Sequence, residues 1–254
     1  MIFHADSWYN VTKTDIKNLE SIDKIFLCKL FQVSKSIPEE ALYLELGIER
    51  IREIIKRRRI CYFQGIISRK KKGMLYRFIK LQWFKPCPGD WTEAVKTDMA
   101  DLGLDTHFST YESLSNKRFK NMVKKRMKEY SFTQLLNEKQ NHRKMKNLFY
   151  TDLTMQDYLM NKEITQTQKI NILKWRTQMA PFKWNFKQSF DNLLCEKCFL
   201  HQDSQEESFL CKELFKDNAP KSKYEDTYNG DIAKEAVEDI LKIMNERPKE
   251  IKDF

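Results

Sequence analysis

Glycine and proline are scarce, six of each in 254 residues, where average usage would give roughly 18 and 13. A sheet protein with many tight turns needs those residues at special backbone angles, so the scarcity argues against one. It also excludes collagen-like, Pro-rich and Gly/Ser-rich linker architectures. No run approaches the ~18 apolar residues of a membrane span, and Met1–Trp8 has neither a basic nor an apolar leader segment. A reducing intracellular location, nuclear or cytoplasmic, is therefore expected, with no membrane partner. The six cysteines, Cys28, Cys61, Cys87, Cys195, Cys198 and Cys211, are then expected as thiols or metal ligands, not as a disulfide framework.

The signatures of catalysis are missing too. There is no phosphate-binding G-x-x-x-x-G-K-[ST] loop, no G-x-G-x-x-G, no H-E-x-x-H and no G-x-S-x-G. His4, His107, His142 and His201 are scattered. Tyr150-Thr151-Asp152 lacks the second aspartate and the flanking hairpin of a polymerase turn, and no convergent carboxylates suggest a two-metal site.

What is present is a helical pattern. At 41% hydrophobic and 13% aromatic the chain is too apolar for disorder. Ile16, Leu19, Ile22, Phe26 and Leu30 recur at helical spacing. Pro38 opens and Gly47 closes a second segment. Glu49 to Ile67 carries a stripe of Ile51, Ile55, Tyr62 and Ile66, and Met74 to Phe84 has Leu75, Phe78, Ile79 and Trp83 as its expected inward face. Asp90 is expected to cap the next helix, and Ser109–Glu112 has the form of a capping box. A long helix is predicted over 115–141, a capped one from Thr165, and a last one from Asp231. The fold class expected is all-α, an irregular multi-helix array, divided into a basic region 1–150 and a C-terminal region 151–254.

Charge is segregated. The net charge is +10, which favours an acidic partner. Thirteen lysines and arginines lie between Arg50 and Lys85, opposed only by Glu53. A second basic stretch runs from Lys117 to Lys128, whereas acidic residues gather beyond Cys211. Arg58 falls on the apolar stripe of its helix and should snorkel past the core edge or find a carboxylate. Arg57 and Arg59 fall off the stripe and are the better phosphate candidates, together with Lys56, Arg69, Lys70, Lys71, Lys72, Lys124 and Lys125. Aromatic rings interleave with these cations, at Tyr62, Phe63, Tyr76, Phe78, Trp83 and Phe84. Such rings can stack unpaired bases, but at helical spacing they are more often core.

The sharpest local signal is Cys195-Glu196-Lys197-Cys198 followed by Cys211. A C-x-x-C hairpin grips one side of a tetrahedral zinc ion, and Cys211 is the natural third ligand. The fourth is open between His201, the better donor in an awkward position, and Glu207, better placed with a harder donor atom. A hairpin of reduced thiols without metal is the alternative.

The order of these pieces resembles the C-terminal region of reverse transcriptases of LINE-like, non-LTR retrotransposons. The resemblance runs from Ser7-Trp8 through the block Pro38-Glu39-Glu40-Ala41-Leu42-Tyr43-Leu44-Glu45-Leu46-Gly47. It continues with Arg57-Arg58-Arg59-Ile60-Cys61-Tyr62 and Gly89-Asp90-Trp91, and ends with Cys195, Cys198, Asp203-Ser204-Gln205-Glu206 and Cys211. It implies a helical thumb and linker that meet the template–primer duplex, then a nucleic-acid-binding zinc knuckle, here at 193–216. Two departures stand out: the polymerase palm is missing, and the family's knuckle histidine falls on Glu207. The expectation is a non-catalytic fragment that binds RNA or an RNA–DNA or DNA duplex, with one weakly held or lost Zn2+. The alternatives are a helical protein-interaction module with a basic face and a transposon relic without function.

Overall fold

The computed structural model describes residues 11–69, 73–112, 114–142, 145, 148–180, 182, 185, 192–195, 197–215, 219–228 and 234–246. The protein is all-α. Among the described residues the helices are α1 (Lys13–Leu30), α2 (Glu39–Leu46), α3 (Ile51–Ile67), α4 (Met74–Phe84), α5 (Trp91–Asp101), α6 (Asn116–Lys139), α7 (Asp157–Met160), α8 (Gln166–Arg176), α9 (Gln205–Ser208), α10 (Lys212–Phe215) and α11 (Lys234–Asn245). No sheet occurs among the described residues; one antiparallel bridge joins Leu194 and Gln202. No helix there is long and apolar enough to cross a membrane.

The chain divides into two compact units, Met1–Asp23 with Glu49–Gln134, and Lys24–Ile48 with Leu135–Phe254. In the first, α3, α4 and α5 pack together around Phe63 and Trp83, whose rings stack at 4.5 Å. Phe108 meets Phe63 edge-on at 5.9 Å, and Phe119, Val123 and Met127 of α6 close the same core. Burying large rings supplies much of the apolar area that stabilises such a core. In the second unit, Ile172 and Trp175 of α8 and Val237, Ile240 and Ile243 of α11 enclose Cys195, Phe209 and Cys211.

Residues 24–48 group with the second unit rather than with the rest of 1–150, and Glu45 is one reason. Its carboxylate is fully buried and accepts from Arg176 Nε at 2.8 Å, from Tyr150 OH at 2.6 Å and from Tyr158 OH at 2.9 Å. Gly47 ends α2 with φ +61, the left-handed C-cap that glycine adopts without strain. A side chain there would meet the Met155 nitrogen at 2.1 Å and the Thr154 carbonyl carbon at 2.2 Å.

Several local expectations are corrected. In α1, Ile22, Phe26 and Leu30 are exposed, while Leu27 and Cys28 are buried. In α4, Ile79 and Trp83 point inward but Leu75 and Phe78 do not. Period fixes which residues share a face, not what covers it. Asp90 precedes α5 without capping it through its side chain, and instead accepts from the Cys87 N–H at 2.8 Å. The Ser109–Glu112 segment is part of a 3-10 turn, Phe108–Tyr111, with no side-chain cap. The capping box at Thr165 forms in full with Gln168. Asp231 lies outside the described residues.

Substituting Gly47→Ala combines left-handed strain with a backbone clash, and should cost at least ~2 kcal/mol in a urea titration. Glu53 is nearly fully buried, and burial pushes its carboxyl up to about 7 although Arg52 and Arg50 oppose the shift. A carboxyl that holds its proton more tightly folded than unfolded makes stability fall as pH rises between the two pKa values. Burial of Asp98, raised to about 6, has the same sign. The unfolding midpoint should therefore drop from pH 5 to pH 8, and Glu53→Gln should flatten that drop and stabilise the protein at pH 8.

Candidate metal centre and cationic faces

Cys195, Cys198 and Cys211 place their sulfurs within 4.8 Å of one another. The scaffold is a tight hairpin. Leu194 pairs with Gln202, the Cys195 N–H donates to the His201 carbonyl at 2.9 Å, and the Asp203 N–H donates to Leu193 O at 2.6 Å. Between the cysteines the chain folds back so that the Phe199 N–H donates to Cys195 O at 2.9 Å. Phe199 itself takes φ +55, a left-handed conformation that is unusual for a bulky residue. The third cysteine arrives from α9, which opens with the Ser204 hydroxyl accepting from the Glu207 N–H at 3.1 Å, the pattern of a helix N-cap. Gln205 fixes this helix to the body, donating to Trp175 O at 2.7 Å.

Six free cysteines are present, and Cys195 and Cys211 stay 3.9 Å apart, sulfur to sulfur. Burial would raise the Cys198 thiol. The backbone N–H groups of His201 and Leu200, with the Cys211 and Cys195 thiols, outweigh it and hold Cys198 below the ordinary thiol value. Burial pushes Cys211 up to about 11. One thiol poised toward thiolate beside two apolar-buried ones can hold a soft divalent ion, since binding supplies the positive charge that ionises the rest. His201 and Glu207 do not join the sulfur set; they face each other, Nδ1 to Oε2 at 3.1 Å.

The cations named from sequence separate into two kinds. Arg59 is largely buried and pairs with Asp98 at 2.8 Å. Arg57 pairs with Glu49 at 2.8 Å, and Lys56 with Asp101. Arg58, placed on the apolar stripe by sequence, is instead exposed. The stripe turns between its ends: Ile51 and Ile55 pack with Leu19, whereas Ile60, Phe63 and Ile67 enter the aromatic core. That rotation carries position 59 inward and position 58 outward. Arg69, Lys124 and Lys125 are exposed. Lys70, Lys71 and Lys72 lie outside the described residues.

Three further cations belong with Lys124 and Lys125. Lys117, Lys120 and Lys124 lie along one line of α6, at i, i+3 and i+7, with Arg118 and Lys125 beside it. All five are exposed, and none has an acidic partner among the described residues. The row is about 12 Å long. The signal was in the sequence: no acidic residue occurs between Glu112 and Glu129. Of the interleaved rings, Phe63 and Trp83 are core, whereas Phe78 and Phe84 are exposed.

Comparison with known protein families, with curated proteins and with solved structures finds no match.

Arg59→Ala would strand the buried Asp98 carboxylate. It should cost roughly 3 kcal/mol in denaturant unfolding, a stability loss instead of a selective loss of ligand affinity.

Proposed function

We propose that this protein is a non-catalytic nucleic-acid-binding module, related to the thumb, linker and knuckle region of non-LTR retrotransposon reverse transcriptases. The observation that carries the proposal is the acid-free row Lys117, Arg118, Lys120, Lys124 and Lys125 on α6. Exposed cations in a row, with no acidic partner among the described residues, suit a phosphate backbone, whose condensed counterions are released on contact. Lys56, Arg57 and Arg59 are instead engaged by carboxylate partners. Arg69 remains a contributor at the end of α3. The preferred partner is RNA or an RNA–DNA or DNA duplex, and the resemblance in sequence order supports it.

The three-cysteine cluster is proposed to take one Zn2+, the ion that suits three thiolates and an open fourth position. Its role is structural. The ion would fasten the 193–203 hairpin to α9, and so hold the knuckle on the core that contains Cys195 and Cys211.

Affinity for a short duplex, measured by fluorescence anisotropy, should fall linearly on a log–log plot against salt, with a slope of about −4.5 for five phosphates. Lys120→Glu with Lys124→Glu should weaken binding and remove about two units of that slope. A salt-independent affinity, or one unchanged in this variant, would sink the proposal.

In mild denaturant, where the buried Cys195 and Cys211 open to solvent, one equivalent of Zn2+ should protect three of the six cysteines from a thiol reagent, and Cys198→Ser should abolish the protection. Glu207→His should tighten the ion, since imidazole is the better fourth donor. Protection unchanged by zinc in both the parent and Glu207→His would refute the metal assignment.

A further inference from the structure

The cations of α6 frame an uncharged residue. Each step along a helix of 3.6 residues per turn rotates the side chain by about 100°. Phe119, Val123 and Met127 form the line that enters the aromatic core. Asn121 points within about 20° of the opposite direction. Lys120 and Lys124 stand on one side of it and Arg118 and Lys125 on the other, with Lys117 one turn before. All six side chains are exposed, and together they span an arc of about 160°. Asn121 has no hydrogen-bond partner among the described residues. Lys128 continues the central line but is half-buried, so the face ends there.

The composition of this face selects its occupant. No bulky apolar side chain of α6 is exposed. The face therefore lacks both the apolar body that enters a lipid surface and a ring on which an unpaired base stacks. An acidic protein answers cations in any arrangement. Two cationic rows on either side of a neutral amide instead match a duplex groove, in which two phosphate rims flank a floor of base edges. A helix with its side chains is about 10–12 Å across, and the major groove of B-form DNA is about 12 Å wide. The A-form major groove of RNA is deep and too narrow for side chains to read. An asparagine amide offers one acceptor and one donor side by side, the complement of adenine N6 and N7 in the major groove.

We infer that α6 enters the major groove of a DNA duplex, with Lys120 and Lys124 on one phosphate rim, Arg118 and Lys125 on the other, and Asn121 against the edge of an adenine. This rests on the nucleic-acid reading above and narrows it to double-stranded DNA and to one base.

The probes are three short DNA duplexes of equal length: one rich in A·T pairs, one of G·C pairs alone, and the A·T-rich duplex with 7-deazaadenine in place of adenine. That analogue pairs normally but lacks the N7 acceptor in the major groove. At fixed salt the full chain should bind the A·T-rich duplex at least about fivefold more tightly than the G·C duplex, the low end for one bidentate pair. The 7-deaza duplex should lose this advantage, which a minor-groove preference would keep. In RNA duplexes of the same sequences the preference should vanish. Asn121→Ala should bind all three DNA duplexes alike. Alanine favours the helix and the site is exposed, so helical circular dichroism should not fall. A parent chain that shows the salt slope of the cation row without an adenine preference overturns the inference and leaves the phosphate-binding reading standing. An adenine preference that survives Asn121→Ala, or that 7-deazaadenine leaves intact, overturns it in the same way. Tighter binding of polyglutamate than of any duplex, or loss of the salt slope altogether, removes both.

Discussion

The second unit depends on one fully buried ion pair. Glu45 and Arg176 meet at 2.8 Å with no exposed side-chain surface on either. Two such charges cost several kcal/mol each to remove from water, and only near-complete hydrogen bonding repays the cost. Here the repayment is visible. Glu45 also accepts from Tyr150 and Tyr158, and Arg176 donates to Thr227 O at 3.1 Å. Burial, with the Glu45 carboxylate second, drives both phenols well above their ordinary range, so they stay neutral donors. Burial works against the Arg176 charge, but Glu45 and the two phenols outweigh it.

This network reaches the cysteine cluster through two hydrogen bonds. Trp175, next to Arg176, donates from its indole to Thr227 at 3.2 Å and accepts from Gln205 on its carbonyl. Gln205 begins the helix that delivers Cys211. The hairpin that carries Cys195 and Cys198 is thus brought to Cys211 by a framework with one well-defined polar arrangement. Buried polar groups with specific partners penalise alternative packings, because any shift leaves a charge or donor unpaired.

In the first unit the same electrostatics act from the core edge outward. Carboxylates contributed by α5 and by the approach to α3 neutralise Lys56, Arg57 and Arg59, while among the described residues the early α6 row and the α4 cations have none. The result is a division of labour within one basic composition. Some cations hold helices together, and others are left to face solvent and partners. A net charge cannot distinguish the two groups; pairing geometry does.

The helices, the breaks at Pro38 and Gly47, the capping box at Thr165 and the grouping of three cysteines were legible in the sequence, because each depends on residues within a few turns of chain. The acid-free stretch behind the α6 row was legible for the same reason. Which cations were spent on ion pairs was not, since Arg59 finds Asp98 39 residues away. Nor was Glu45 as a keystone: within Ala41–Leu46 it reads as one acidic residue in an apolar helix, and its partner lies 131 residues on. The exposed stripes of α1 and α4 were invisible because hydrophobic period fixes a face but not its cover. Local physical chemistry set the elements and the cysteine hairpin. Tertiary packing alone decided burial and charge pairing, because both require surfaces from distant parts of the chain.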